Sequence, residues 1–146
     1  MTDNDILKRY ALVTLATMVG VYVLSYALEA VAGISVGAGV GIVTAIVPAM
    51  DAGQTFARKT AGAIDSGRMW RLALNGTFIN FGISLALTVA IVVVFQVPMA
   101  ALLATLGAVG LLIILALFFV FYLLSARVFI GMGQRIELKR QAKAKE

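Results

Sequence analysis

The chain contains no cysteine and no histidine. Without cysteine there is no disulfide, no thiolate nucleophile and no cysteine-ligated zinc or iron–sulfur centre. Without histidine it lacks the usual ligand of haem and most transition metals, and the usual proton shuttle near neutral pH. Both absences argue against a catalytic redox subunit, though not against a subunit that sits beside one. Charge is scarce as well. Asp, Glu, Lys and Arg make up 13% of the 146 residues, against about 25% in a soluble domain. Only two prolines are present, Pro48 and Pro98, and each interrupts an apolar stretch.

What is abundant is apolar surface: 62% of the residues are hydrophobic. A soluble core of this length cannot hide that much, so the expected solvent is the lipid bilayer. Crossing the hydrocarbon layer takes about 20 apolar residues in a helix. Tyr10–Leu28 and Ala30–Met50 are uncharged and each long enough for one crossing. Leu72–Ala126 is also uncharged and far too long for one. Gln96-Val97-Pro98 breaks it near the middle, because proline lacks a donor and pushes the preceding residue out of the helical region. The expected fold is therefore all-α and polytopic. It has four transmembrane helices at 10–29, 33–57, 71–95 and 99–126, arranged as two antiparallel hairpins in one domain, with a charged tail over 134–146. Arg58–Trp70 is the one extended loop, and Asp65 or Ser66 is placed to cap helix three. Lys8-Arg9 and Ala30-Val31-Ala32 resemble the two ends of a secretory signal. The apolar segment between them exceeds the usual 7–15 residues, so an uncleaved helix is expected.

Orientation follows from the basic residues. Lys8 and Arg9 precede helix one. Arg58, Lys59, Arg68 and Arg71 lie in or beside the middle loop, and the other six follow helix four from Arg127 onward. All twelve fall on one side of a four-helix arrangement. The positive-inside rule makes that side the cytoplasm, which places the chain in a bacterial inner membrane with both termini cytoplasmic. The net charge of +5 is accounted for by this flanking pattern, so no nucleic-acid partner is expected. Arg58, Lys59, Arg68, Trp70, Arg71 and Arg127 are placed to meet lipid headgroups. Tyr10 and Trp70 suit the inner interface, and Tyr22 and Tyr26 the outer one.

Helix two carries the most regular pattern. Gly33, Gly37, Gly41, Ala45, Ala49 and Gly53 recur at every fourth residue. Small residues let a second backbone approach closely, which matters in lipid. The expected use is packing against helix one or three, and the alternative is docking of a partner protein. Pro48 is expected to kink this helix, as a packing feature or as part of a substrate path. On helix three, Thr77, Asn80, Ser84 and Thr88 share a face. They suit hydrogen bonding between helices, or alternatively the lining of a hydrated cavity. Leu111–Leu124 of helix four suits lipid or a neighbouring subunit, with Gly107 and Gly110 as its one close-contact point.

Intramembrane acids are functional candidates by default. Glu29 closes helix one at its outer end. Asp51 stands near the inner end of helix two, where Arg58, Arg127 or another nearby arginine can pair with it. No paired carboxylates or nucleophile–base pair stand out, and Gly33–Gly41 lacks the lysine and the strand context of a phosphate loop. No enzymatic activity, metal or organic cofactor is expected; bound phospholipid is.

Ile46-Val47-Pro48-Ala49-Met50-Asp51-Ala52-Gly53-Gln54-Thr55-Phe56 and Ser66-Gly67-Arg68-Met69-Trp70-Arg71-Leu72-Ala73 together cover about a quarter of the chain. This region resembles a family of small bacterial inner-membrane proteins with four helices. The shared features are the Ala-Gly-x-x-Phe end of helix two and the Trp-Arg-x-Ala start of helix three. The family's loop more often holds Gly-Arg-x-Pro and an acid before the tryptophan. Here the loop has no proline, and Arg68 lies two residues before Trp70. The resemblance implies the same topology and adds no function. Two roles remain: an accessory or structural subunit packing against other membrane proteins or against itself, and a small proton-coupled transporter acting as an oligomer through Asp51 and the polar face of helix three.

Overall fold

A computed structural model describes residues 3–33, 39–60, 62–94, 96 and 99–144. It consists of four helices: α1 (Asp3–Ala32), α2 (Gly39–Thr60), α3 (Ser66–Val94) and α4 (Met99–Lys143). Among the described residues, three segments are long and apolar enough to cross a membrane: Asn4–Ala32, Ser66–Val94 and Gly107–Lys143. The segment corresponding to the expected second span, α2, is not one of them.

Local chemistry explains the boundaries. Gly33 has a φ of 66°, and its N–H donates to the carbonyl of Glu29 at 3.0 Å. That is the left-handed stop which glycine makes at low cost. Gly33 therefore ends α1 rather than opening the second helix. At the head of α3, Asp65 Oδ2 accepts from the Gly67 N–H at 3.0 Å, so Asp65 is the N-cap the loop was expected to supply. Gln96, in the turn between α3 and α4, has a φ of 52°. Val97 and Pro98 of the expected turn lie outside the described residues.

Two features of α4 depart from the sequence expectation. Gly107 has φ 65° and ψ 163°, a conformation open essentially only to glycine, and it breaks the helix. Nothing lies within 4 Å of where its Cβ would be, so it is a bend and not a close-contact point. The stretch expected to be a charged tail is helical as far as Lys143. It stays helical because it is packed: Ile130, Gly133, Gln134 and Glu137 are all buried.

The core sits at one end of the bundle. Ile6 and Tyr10 of α1, Ala49, Ala52 and Phe56 of α2, Ile64, Leu72 and Ala73 around the start of α3, and Ala126 and Ile130 of α4 form one buried cluster. Tyr10 is 2% exposed and covers Gly76, where an added Cβ would fall 2.8 Å from the ring. It is thus a core residue and not part of an interfacial belt. Trp70, at 39% exposure, fits the belt expectation better. Away from this end the helices carry apolar side chains on the outside, among them Val23, Leu24, Tyr26, Leu85, Val93, Leu112, Leu117 and Phe118.

Candidate functional site

The small-residue stripe of α2 finds its partner in α4. A Cβ on Gly53 would run into the carbonyl oxygen of Ile130 and lie 2.9 Å from the Gln134 amide nitrogen. Reciprocally, a Cβ on Gly133 would run into the Met50 carbonyl oxygen, with the Met50 Cα 3.0 Å away. Two glycines thus face backbone across one crossing, as small residues permit in membrane bundles. At Gly53 the contact lies inside the chain and is made with helix four, a partner not among the expected helices one and three. Ala45, Ala49 and Pro48 are buried on the same helix. Gly41 lies in the first turn of α2, Gly33 ends α1, and Gly37 lies outside the described residues.

Polar contacts continue the crossing. Arg58 Nε pairs with Glu137 Oε2 at 3.2 Å, the Glu137 side chain being 9% exposed. The Gln141 side-chain amide donates to the Ala57 carbonyl at 3.2 Å, occupying one of the carbonyls that a helix end leaves open. Met50 meets Gly133 and Ala57 meets Gln141, so α2 and α4 run in the same direction here. This also explains the composition of α2. Flanked by α1 and α4, it buries Thr44, Ala45, Pro48, Ala49, Ala52, Gly53 and Thr55 and leaves Ile42, Val43 and Val47 exposed, so small and weakly polar residues occupy its packed side.

Asp51 does not pair with Arg58 or Arg127. Arg9 of α1 clamps it through both carboxylate oxygens, Nε to Oδ2 at 2.7 Å and Nη2 to Oδ1 at 2.9 Å. A two-pronged guanidinium–carboxylate pair gives the acid two charge-assisted hydrogen bonds from one planar fork. With the Asp51 side chain 22% exposed, it is neither deeply sequestered nor unpaired.

The polar face of helix three separates into two environments. Thr77 and Asn80 are buried, Ser84 is half-buried and Thr88 is exposed. The Thr77 and Thr88 hydroxyls donate back to the carbonyls of Ala73 and Ser84, each at 2.8 Å. Asn80 is 1% exposed, and both its amide nitrogen and its amide oxygen lack a partner, as do the buried hydroxyls of Thr14 and Thr55.

The basic residues gather where the core is. Arg127 lies over the Trp70 ring at 4.3 Å and Arg68 over the Phe56 ring at 4.8 Å, both within cation–π range. Arg71 and Lys59 are exposed nearby in sequence. Arg58 and Lys59 also occupy the last turn of α2, where positive charge complements the helix dipole. Behind Arg127 opens a cleft of about 580 Å³, lined by Ile64, Met69, Gly131, Gln134 and Arg135 among others. Arg135 was not among the residues singled out from sequence. The signal for it was present, since Arg127, Gly131 and Arg135 repeat at four-residue spacing, but it lay in the part expected to be tail.

Comparison with protein-family models, with curated proteins and with solved structures finds no match to this chain.

Proposed function

We propose that this protein is a four-span inner-membrane protein whose role is structural: an accessory subunit that packs against other membrane proteins or against further copies of itself. The observation that carries this reading is the contrast between its two ends. At the basic end α1, α2 and α4 are locked together by a backbone-close crossing and two ion pairs, and α3 joins them through the buried cluster. Elsewhere α1, α3 and α4 present large apolar side chains outward, a surface suited to lipid and to neighbouring helices.

Four crossings and two hairpins draw support from the pairings. Arg9–Asp51 puts the start of α1 beside the second half of α2, so the chain returns through α2 to the end it left. Trp70–Arg127 and Phe78–Phe119 run in opposite senses along α3 and α4, as a second hairpin requires. The twelve basic residues favour the cytoplasm for the packed end. Phospholipid is the bound species this reading implies, with no catalytic cofactor.

The test is gentle affinity purification from native membranes with mass spectrometry of what accompanies the protein. A stoichiometric membrane partner, or a defined homo-oligomer, is the expected result. A lone monomer with nothing attached refutes the subunit role.

A transporter reading draws on the unpaired amide of Asn80 and hydroxyl of Thr14, which suit a hydrated interior. It requires Asp51 to serve as the coupling acid, although Arg9 already engages both of its carboxylate oxygens. If Asp51→Asn leaves every transport or resistance phenotype intact, this reading is lost.

A further inference from the structure

The charges at the packed end do not cancel evenly. Asp51 is engaged by Arg9, Glu137 by Arg58, and Asp65 by the first turn of α3. Among the described residues, neither Arg127 nor Arg135 forms an ion pair. Arg127 Nε is moreover buried without any hydrogen-bond partner, and a guanidinium donor left unmet in a buried place calls for an acceptor.

The shape between these two arginines is specific. Positions 127, 131 and 135 share one face of α4, because residues four apart are neighbours on a helix. The middle position is Gly131, so α4 itself places no side chain between the two arginines. The nearest atoms to a Cβ there would be the flexible end of Met69, at 3.8 and 3.9 Å. Gln134 adds a neutral polar group, and Ile64 and Leu138 add an apolar wall. The cleft therefore combines two positive forks, one amide and a greasy flank. It lies where the long apolar run of α4 gives way to Arg127, beside Trp70 in the second turn of α3, the level at which headgroups sit in a bilayer.

We infer that this cleft binds the phosphate of an anionic phospholipid, with Arg127 and Arg135 bracketing the phosphate across Gly131 and the apolar wall taking the start of an acyl chain. Arginine suits the task because its planar fork offers two parallel donors to phosphate oxygens. Trp70, in turn, holds the Arg127 plane in place. The inference rests on the membrane reading above, and it adds a lipid class and a location to that reading.

Trp70 is the only tryptophan in the chain and touches Arg127, so its fluorescence reports on the cleft. Detergent-solubilised protein is titrated with short-chain phosphatidylglycerol, short-chain phosphatidylcholine and inorganic phosphate in parallel. A saturable Trp70 response to phosphatidylglycerol alone is expected. Arg135→Gln leaves the tryptophan contact intact and should weaken the response by about tenfold, the scale of one charge-assisted hydrogen bond. Lys8→Gln, which removes the same charge outside the cleft, should leave it unchanged. Equal response to phosphatidylcholine, or equal weakening by Arg135→Gln and Lys8→Gln, overturns the site. Saturation by inorganic phosphate at comparable concentration overturns the lipid assignment. Membrane residence is checked separately by carbonate extraction of native membranes, so losing the site and losing the membrane reading give different results.

Discussion

Adding a single methyl group at Gly53 or Gly133 should pry the bundle apart. At each position the new Cβ meets backbone of the opposite helix: the Ile130 carbonyl in one case and the Met50 carbonyl in the other. Backbone cannot rotate away as a side chain can, so the helices must separate by roughly 1 Å to restore ordinary contact. Overpacking a well-fitted site costs about 1–3 kcal/mol, and a backbone obstacle belongs at the upper end. Alanine also favours the helix over glycine by up to about 1 kcal/mol, which acts in the opposite direction. Gly20 and Gly82 isolate that second effect, since nothing lies within 4 Å of a Cβ at either. Gly20→Ala and Gly82→Ala should therefore be neutral or slightly stabilising, while Gly53→Ala and Gly133→Ala should be destabilising. The difference between the two classes should be about 2–3 kcal/mol. The double variant should cost less than the sum of the singles by at least about 0.5 kcal/mol, because the first alanine has already forced the separation the second needs. Reversible unfolding in mixed detergent, followed by helical circular dichroism, supplies the numbers. If alanine at 53 and 133 behaves like alanine at 20 and 82, or if the two act additively, the crossing is not as close as described.

Three further experiments probe other parts of the fold by the same unfolding assay. Asp65→Ala removes the α3 N-cap and should cost about 1 kcal/mol, with Asp65→Asn or Asp65→Ser recovering most of it; no loss would mean the cap is idle. Gly107→Ala forces a side chain into a glycine-only conformation and should cost about 1–3 kcal/mol despite the open space around it; a gain in stability would show that α4 runs straight there. A double-mutant cycle on Arg9→Ala and Asp51→Ala should return a coupling of no more than about 1 kcal/mol, because the Arg9 side chain is 49% exposed and such pairs are screened by solvent. A much larger value would place the pair in a drier setting.

How much of this was legible in the sequence depends on the kind of signal. Helix starts and stops written in side-chain chemistry were readable, as Asp65 and the Gln96 turn show. The close approach at Gly53 was legible in the α2 stripe, but its partner on helix four was not, because that part of helix four lies beyond the apolar run. Hydropathy marks where lipid lies, and α4 continues beyond Arg127 by packing on α2, with Gly133, Gln134 and Glu137 buried there. Gly107 was ambiguous for a related reason: a glycine in an apolar run marks either a close approach or a break, and only the backbone angle decides. Tyr10 fitted the interfacial pattern by its neighbours Lys8 and Arg9, yet the room left by Gly76 draws it inward. An arginine partner for Asp51 was expected, and the one that holds it is Arg9 rather than either of the two named, Arg58 and Arg127.

The central claim is that α2 carries the chain back across the membrane although its own composition is only weakly apolar. Since the chain has no cysteine, single cysteines report topology without background. Glu29→Cys, Thr60→Cys, Gln96→Cys and Lys139→Cys are each expressed and treated with a membrane-impermeant maleimide, before and after the membrane is opened. The account predicts labelling of positions 29 and 96 from outside, and of positions 60 and 139 only after opening. Labelling of position 60 from the same side as position 29 would contradict it, because α2 would then leave the chain on the side it started from.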